Sequence, residues 1–183
     1  MGHCHWTVHS VCGLLHLLLL QHVGMSQEIE RKFLVNGDDY KRQAFAHIPI
    51  VQGYICRQAG RSARVRIAGD KGILTIKGPS LDGGLSRYEW NKEIPVEEAR
   101  ELLELATGPL IEKTRHLVKS GKHTFEVDEF FGKNEGLVIA EVELEYEEEP
   151  YEKLDFVGQE VTGDPRYYNS HLAQYPYCMW RSD

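Results

Sequence analysis

Along segment after segment of this chain, the residues that alternate with apolar ones are charged. Glu28, Glu30 and Lys32 take every second position near the start. Arg64/Arg66, Thr75/Lys77, Arg87/Glu89/Asn91, Lys113/Arg115, Glu126/Asp128 and Glu141/Glu143/Glu145 follow in order. Successive side chains of an extended strand leave opposite faces, so each set shares one face of its strand. The other faces carry Val65/Ile67, Leu74/Ile76, Tyr88/Trp90, Phe125/Val127 and Val142/Leu144. Period-2 alternation of this extent requires a sheet, and the open matter is which face lies inside.

Eight strands are predicted, at about 27–35, 50–57, 61–68, 72–78, 85–94, 111–120, 122–131 and 137–146. Gly69-Asp70-Lys71-Gly72 is a hairpin signal, Ser120-Gly121 and Gly132-Lys133-Asn134 are turns, and Pro79–Gly84 is a loop. A short helix is expected over Asp38–Ala46, with Asp38 as its cap. Pro95 opens a second helix whose stripe is Val96, Ala99, Leu102, Leu103 and Ala106, stopped by Thr107-Gly108-Pro109. Weaker helical patterns lie at 151–157 and 168–174. The expectation is an α+β chain, an eight-stranded antiparallel β-barrel with flanking helices and no internal repeat.

An ordinary barrel would bury its apolar face and leave the charges to solvent. Isolated basic pairs beside isolated acidic pairs favour the inverse: a charged interior, with apolar faces covered by helices or by a second subunit. Unpaired charges inside a protein are costly, so such an interior calls for a ligand of opposite charge. Arg64, Arg66, Lys77, Arg87, Lys113 and Arg115 demand a polyanion. Glu28, Glu30, Asp128, Glu141 and Glu143 demand a divalent cation, bound through hard oxygen donors. Phosphate chains with magnesium meet both demands.

The net charge of −7 argues against a general nucleic-acid binder, although a locally basic cavity is compatible with it. Met1–Gly24 carries no charged residue and holds five of the nine His. Its apolar run Val11–Leu20 is shorter than the roughly 20 residues that span a bilayer. It has no basic n-region and no small-residue cleavage site. Residues 1–24 are expected to lie outside the fold, as upstream translated sequence, an expression leader or a signal-like segment. Residues 25–183 then form one domain. Cys56 and Cys178 make neither a disulfide framework nor a zinc site, which fits a reducing cytoplasm. His47, His116, His123 and His171 show no metal-ligand spacing, and no membrane association is expected.

Glu28-x-Glu30-x-Lys32 near the start of a domain of this size resembles the signature of the CYTH superfamily, the triphosphate tunnel metalloenzymes. Further matches are Gln52-Gly53-Tyr54-Ile55, Arg64-x-Arg66, Leu74-Thr75-Ile76-Lys77-Gly78, Arg87-x-Glu89, Lys113-Thr114-Arg115, Val127-Asp128-x-Phe130, Glu141-x-Glu143 and Asp164-x-Arg166-Tyr167-Tyr168-Asn169. The resemblance covers about Met25 to Gln174. It implies an eight-stranded triphosphate tunnel that binds Mg2+ or Mn2+, one or two ions. Glu28, Glu30, Glu141 and Glu143 would be the metal carboxylates, assisted by Asp128 or Glu89. Arg64, Arg66, Lys77, Arg87, Lys113, Arg115 and Arg166 would hold phosphate oxygens. Lys32 and Tyr54 would fall on a dyad proposed to activate water. Lys32 could act as a base only with a depressed pKa; crowded cations would lower it and Glu28 and Glu30 would oppose them. The implied reaction is hydrolysis of tripolyphosphate to pyrophosphate and phosphate. The alternatives are a class IV adenylate cyclase, a thiamine or nucleoside triphosphatase, and a non-catalytic polyphosphate-binding module. A homodimer is a further expectation of the resemblance.

Overall fold

The computed structural model describes residues 29–58, 60–81 and 86–180, and the side chains of these except 79–81 and 86–88. Residues 1–24, Glu28 and the side chain of Arg87 thus lie outside the described residues.

Nine strands form one antiparallel sheet: β1 (Ile29–Val35), β2 (Ala46–Gln58), β3 (Arg61–Ala68), β4 (Lys71–Leu81), β5 (Ser86–Ile94), β6 (Ile111–Ser120), β7 (His123–Phe130), β8 (Val138–Leu144) and β9 (Val157–Glu160). Their order is β5-β4-β3-β2-β6-β7-β8-β1-β9. The expected count of eight is therefore raised by one, and among the described residues no ladder joins β5 to β9. The helices are α1 (Asp39–Gln43), α2 (Val96–Glu104) and α3 (Asn169–Leu172).

The departures from expectation have ladder pairing as their common cause. Residues 151–157 carry a helical pattern, yet β9 begins at Val157 and pairs with the otherwise open side of β1, through Phe33↔Glu160 and Val35↔Val157. Helix α1 stops at Gln43 because the Phe45 N–H donates to the Leu117 carbonyl and Ala46 pairs with Leu117. Asp38 precedes α1 but makes no side-chain capping bond. Strand β4 runs into the expected loop, and its register shifts between Lys77 and Ser80, around Pro79, which has no N–H to give a ladder.

The register sorts every strand into two faces. On the outer face of β1, β6, β7 and β8, Phe33, Val118, Phe125, Val127, Ala140, Val142 and Leu144 are buried beneath Tyr40 of α1 and Phe156. On the outer face of β2, β3 and β4, Val65, Val51, Ile67 and Leu74 pack against Ala99 and Leu103 of α2. Each large apolar side chain buried this way contributes roughly 1.5–3 kcal/mol. Close approach of this helical layer depends on glycine at two points. A Cβ on Gly53 would lie 2.7 Å from Leu110 Cδ2, and one on Gly72 would lie 2.8 Å from the Ala99 Cβ.

The acidic run Glu145–Glu149 folds over a buried carboxylate, that of Glu149. Glu149 accepts from the Glu145 N–H at 2.5 Å, from His123 Nε2 at 3.1 Å and from the Lys122 ammonium. The Lys122 bond, followed by that backbone N–H, holds its carboxyl down to about 2 from an ordinary 4.5. A depressed carboxylate contributes stability that is present above pH 4.5 and lost as pH falls toward about 2. Urea unfolding across that window is expected to show a steeper loss of stability for the native chain than for Glu149→Gln. Equal slopes would contradict this reading.

Candidate active site

The inner face of the sheet is apolar at one end and charged along the rest. At the apolar end Leu34, Tyr54, Ile111, Phe130 and Ile139 pack against Tyr167, Leu172 and Ala173 of the C-terminal segment. One step further along each strand come the charges. Lys113 pairs across the ladder with Phe130, Arg115 with Asp128, Glu126 with Glu141, Lys32 with Glu141 and Glu30 with Glu143. Cross-strand partners share a face with Cβ atoms about 5 Å apart, so these residues form one continuous array.

Its centre is an ion-pair network. Arg115 donates to both Asp128 oxygens at 2.8 Å, to Glu141 at 3.3 Å and to Glu126. Lys113 donates to Asp128 at 2.5 Å and to Asn169 Oδ1 at 3.3 Å. Lys113 and Asp128 are 2% and 1% exposed, so the pair is dry. Burial alone would raise the Asp128 carboxyl, but Lys113 and Arg115 outweigh it and keep it well below the carboxylate range. Burial, joined by Asp128 and Glu141, holds the Glu126 carboxyl above its ordinary value against Arg115.

Lys32 is buried, and its ammonium bridges Glu30 at 2.8 Å and Glu141. Burial lowers its pKa, while Glu141 and then Glu30 raise it by more, so the net shift is upward. In this arrangement the Lys32 ammonium is held between two carboxylates, which favours its charged form. The aromatic ring beside it belongs to Tyr168, with the centroid 5.9 Å from Nζ. Tyr54 lies in the apolar end, 5.0 Å from the Arg57 guanidinium.

The β3 sector is different. Arg64 and Arg66 share the inner face with Gln52 of β2, through the Tyr54↔Arg64 and Gln52↔Arg66 pairs. The Nε atoms of both arginines, and both amide atoms of Gln52, are buried without a hydrogen-bond partner. Leaving such a group unpaired costs about 1–3 kcal/mol each. Burial, with Arg64 and Arg115 as like charges, draws the Arg66 guanidinium down to about 10. Repelling cations with unspent Nε donors are the chemistry that would take an anion. Next along, Lys77 holds Glu89 at 2.6 Å, and Asn91 ties Glu89 to Thr75.

Two residues named from the sequence fall elsewhere. Arg166 is exposed, bound to Asp164 at 2.6 Å and set against the rings of Tyr167 and Trp180. Glu89 stands on β5, remote in ladder order from β1 and β8, with Lys77 as its partner. His47 and His116, joined Nδ1 to Nδ1 at 2.8 Å with Glu129 beyond, sit in the outer layer beside Tyr40. Glu30, Glu141 and Glu143 supply carboxylate oxygens from adjacent strands, the donor chemistry of a hard divalent cation. Among the described residues, no three His, Cys, Asp or Glu side chains already converge on one point. No helix among them is long and apolar enough to cross a membrane.

The sequence matches the CYTH domain over residues 26–168. This chain belongs to the CYTH family. It is 53% identical over 154 residues to the inorganic triphosphatase of Acetivibrio thermocellus, a match covering 84% of this chain and 97% of that one. It is 35% identical over 153 residues to the inorganic triphosphatase of Nitrosomonas europaea, covering 80% and 96%. A solved crystal structure of an inorganic triphosphatase superposes with a TM-score of 0.59 at 32% identity, covering 81% of this chain and 95% of that one.

Four neighbours of the site carry no signal of their role in the pattern of charge pairs. Glu126 shares its strand face with Asp128 and binds Arg115. Asn169 carries no charge, yet its side chain accepts from Lys113. Tyr168 reaches Lys32 only because the C-terminal segment folds over the end of the sheet. Gln52 carries no charge and gave no signal beyond its place in Gln52-Gly53-Tyr54-Ile55.

Proposed function

We propose that this CYTH domain hydrolyses inorganic triphosphate to pyrophosphate and phosphate, on the charged face of its nine-stranded sheet, which curls into a tunnel around the substrate. The observation that carries the reading is the juxtaposition, on one largely buried face, of unspent arginine donors with a carboxylate–lysine cluster. The two relatives named as inorganic triphosphatases support it, at 53% and 35% identity.

In this reading Arg64 and Arg66 grip phosphate oxygens through guanidinium forks, whose geometry lysine does not reproduce. Lys77, Arg87, Lys113 and Arg115 hold the remainder of the chain's charge, with Arg166 at the rim. Lys32 stands beside the phosphate under attack and stabilises charge as it develops there. Tyr54 keeps its contacts at the apolar end and shapes the wall rather than moving a proton. Glu30, Glu141 and Glu143, with Glu28, would hold one or two ions of Mg2+ or Mn2+, assisted by Asp128 or Glu89. Such an ion supplies charge neutralisation and polarisation of a phosphoryl oxygen. The protein's own share is positioning: the phosphates are fixed while a water attacks in line.

The free cysteines Cys56 and Cys178 suit a reducing cytoplasm, and exposed Phe45, Leu105 and Leu110 offer apolar area to a second copy of the chain. Phosphate release from tripolyphosphate, ATP and thiamine triphosphate, each with Mg2+ or Mn2+, tests the substrate. Tripolyphosphate is expected to have the highest kcat/KM. Cyclic AMP from ATP, with little tripolyphosphate hydrolysis, would overturn the proposal.

A further inference from the structure

Gln52 is completely buried, and neither its amide oxygen nor its amide nitrogen has a hydrogen-bond partner. The side chain is on the inner face: Gln52 pairs with Arg66 across one ladder and with Ile111 across the other, while adjacent Gly53 faces Leu110 and Ala106 in the outer layer. A position that served packing alone would be filled by leucine or methionine at no polar cost. A further cation there would add to the repulsion already felt by Arg66 from Arg64 and Arg115. A carboxamide adds a donor and no charge. It shares the inner face with Arg64 and Arg66, whose Nε atoms are likewise unpartnered, which makes three unspent donors in one sector of the face.

We propose that Gln52 is a direct substrate contact, its amide N–H donating to a non-bridging phosphate oxygen held by Arg64 and Arg66. The inference rests on the triphosphate reading and adds a specificity residue to it. A neutral donor with a fixed direction favours an oxygen at one position along the phosphate chain, whereas the surrounding charges attract any polyanion.

The test is Gln52→Met, which keeps the length of the side chain and removes its polarity. Thermal unfolding of the ligand-free variant is expected at the native midpoint or above it, since an unpartnered polar group has gone. Its KM for tripolyphosphate, and its dissociation constant measured calorimetrically without divalent cation, are expected to rise by about 10–100-fold. An unchanged KM and dissociation constant, with the variant folded, would overturn the contact and leave the hydrolysis reading intact. Native protein that binds tripolyphosphate without turnover, weakened by Gln52→Met, would support the contact and defeat the hydrolysis reading. Native protein that neither binds nor hydrolyses it would overturn both. Should Gln52→Met not fold, Gln52→Glu takes its place: it sets a carboxylate against the phosphate, and an unchanged KM would overturn the proposal.

Discussion

Asp128→Asn is expected to destabilise the folded chain by about 3–5 kcal/mol, the range for removing one member of a buried ion pair. The substitution keeps the shape of the side chain and removes its charge. Lys113, 2% exposed, then has no carboxylate at 2.5 Å, and Arg115 keeps an acceptor for only one of its two bonds of 2.8 Å, because the amide nitrogen cannot accept. Arg115 still has Glu126 and Glu141, so the larger share of the loss falls on Lys113. Adding Lys113→Met is therefore expected to recover most of the stability, because a dry ammonium without a partner is replaced by an apolar chain of similar length. Urea unfolding of the two single variants and the double variant measures this directly. A loss below about 1 kcal/mol for Asp128→Asn would mean that the pair is solvated like an ordinary surface pair.

Lys32→Met is expected to lower kcat for tripolyphosphate by about 10²–10³-fold, the cost of removing one preorganised donor from a developing charge. The ammonium is fixed by Glu30 and Glu141 on two adjacent strands, so its position is set before substrate arrives. Lys32→Arg is not expected to restore turnover, since the larger planar group does not fit a point charge between two carboxylates. The upward shift of the Lys32 pKa adds a qualitative expectation. Turnover should show no rise with pH that reports Lys32 losing its proton. A Lys32→Met variant with native kcat would remove this residue from the reaction.

The faces of the sheet were legible because alternation survives any pairing. Strands β3 and β6 have the bounds their patterns predict, Arg61–Ala68 and Ile111–Ser120, and their charges share the inner face as expected. Strand β9 was not legible: four residues, Val-Gly-Gln-Glu, carry too little pattern, and the strand exists because β1 has an open side. The start of β2 was hidden for a related reason, since a helical local pattern yields to pairing with Leu117. Partner choice within the site was also out of reach. That Lys32 bridges Glu30 and Glu141 follows from the β1–β8 register, which sequence periodicity does not contain. The question left open from sequence, whether cations or carboxylates dominate the surroundings of Lys32, is answered by that same register.

On the proposed reading, this charged face cleaves a triphosphate chain once. Phosphorus NMR of tripolyphosphate incubated with the native protein and Mg2+ measures it. The expected result is pyrophosphate and phosphate appearing in equal amounts, with no products when a chelator replaces the metal. Tripolyphosphate that is bound and left intact would contradict the account.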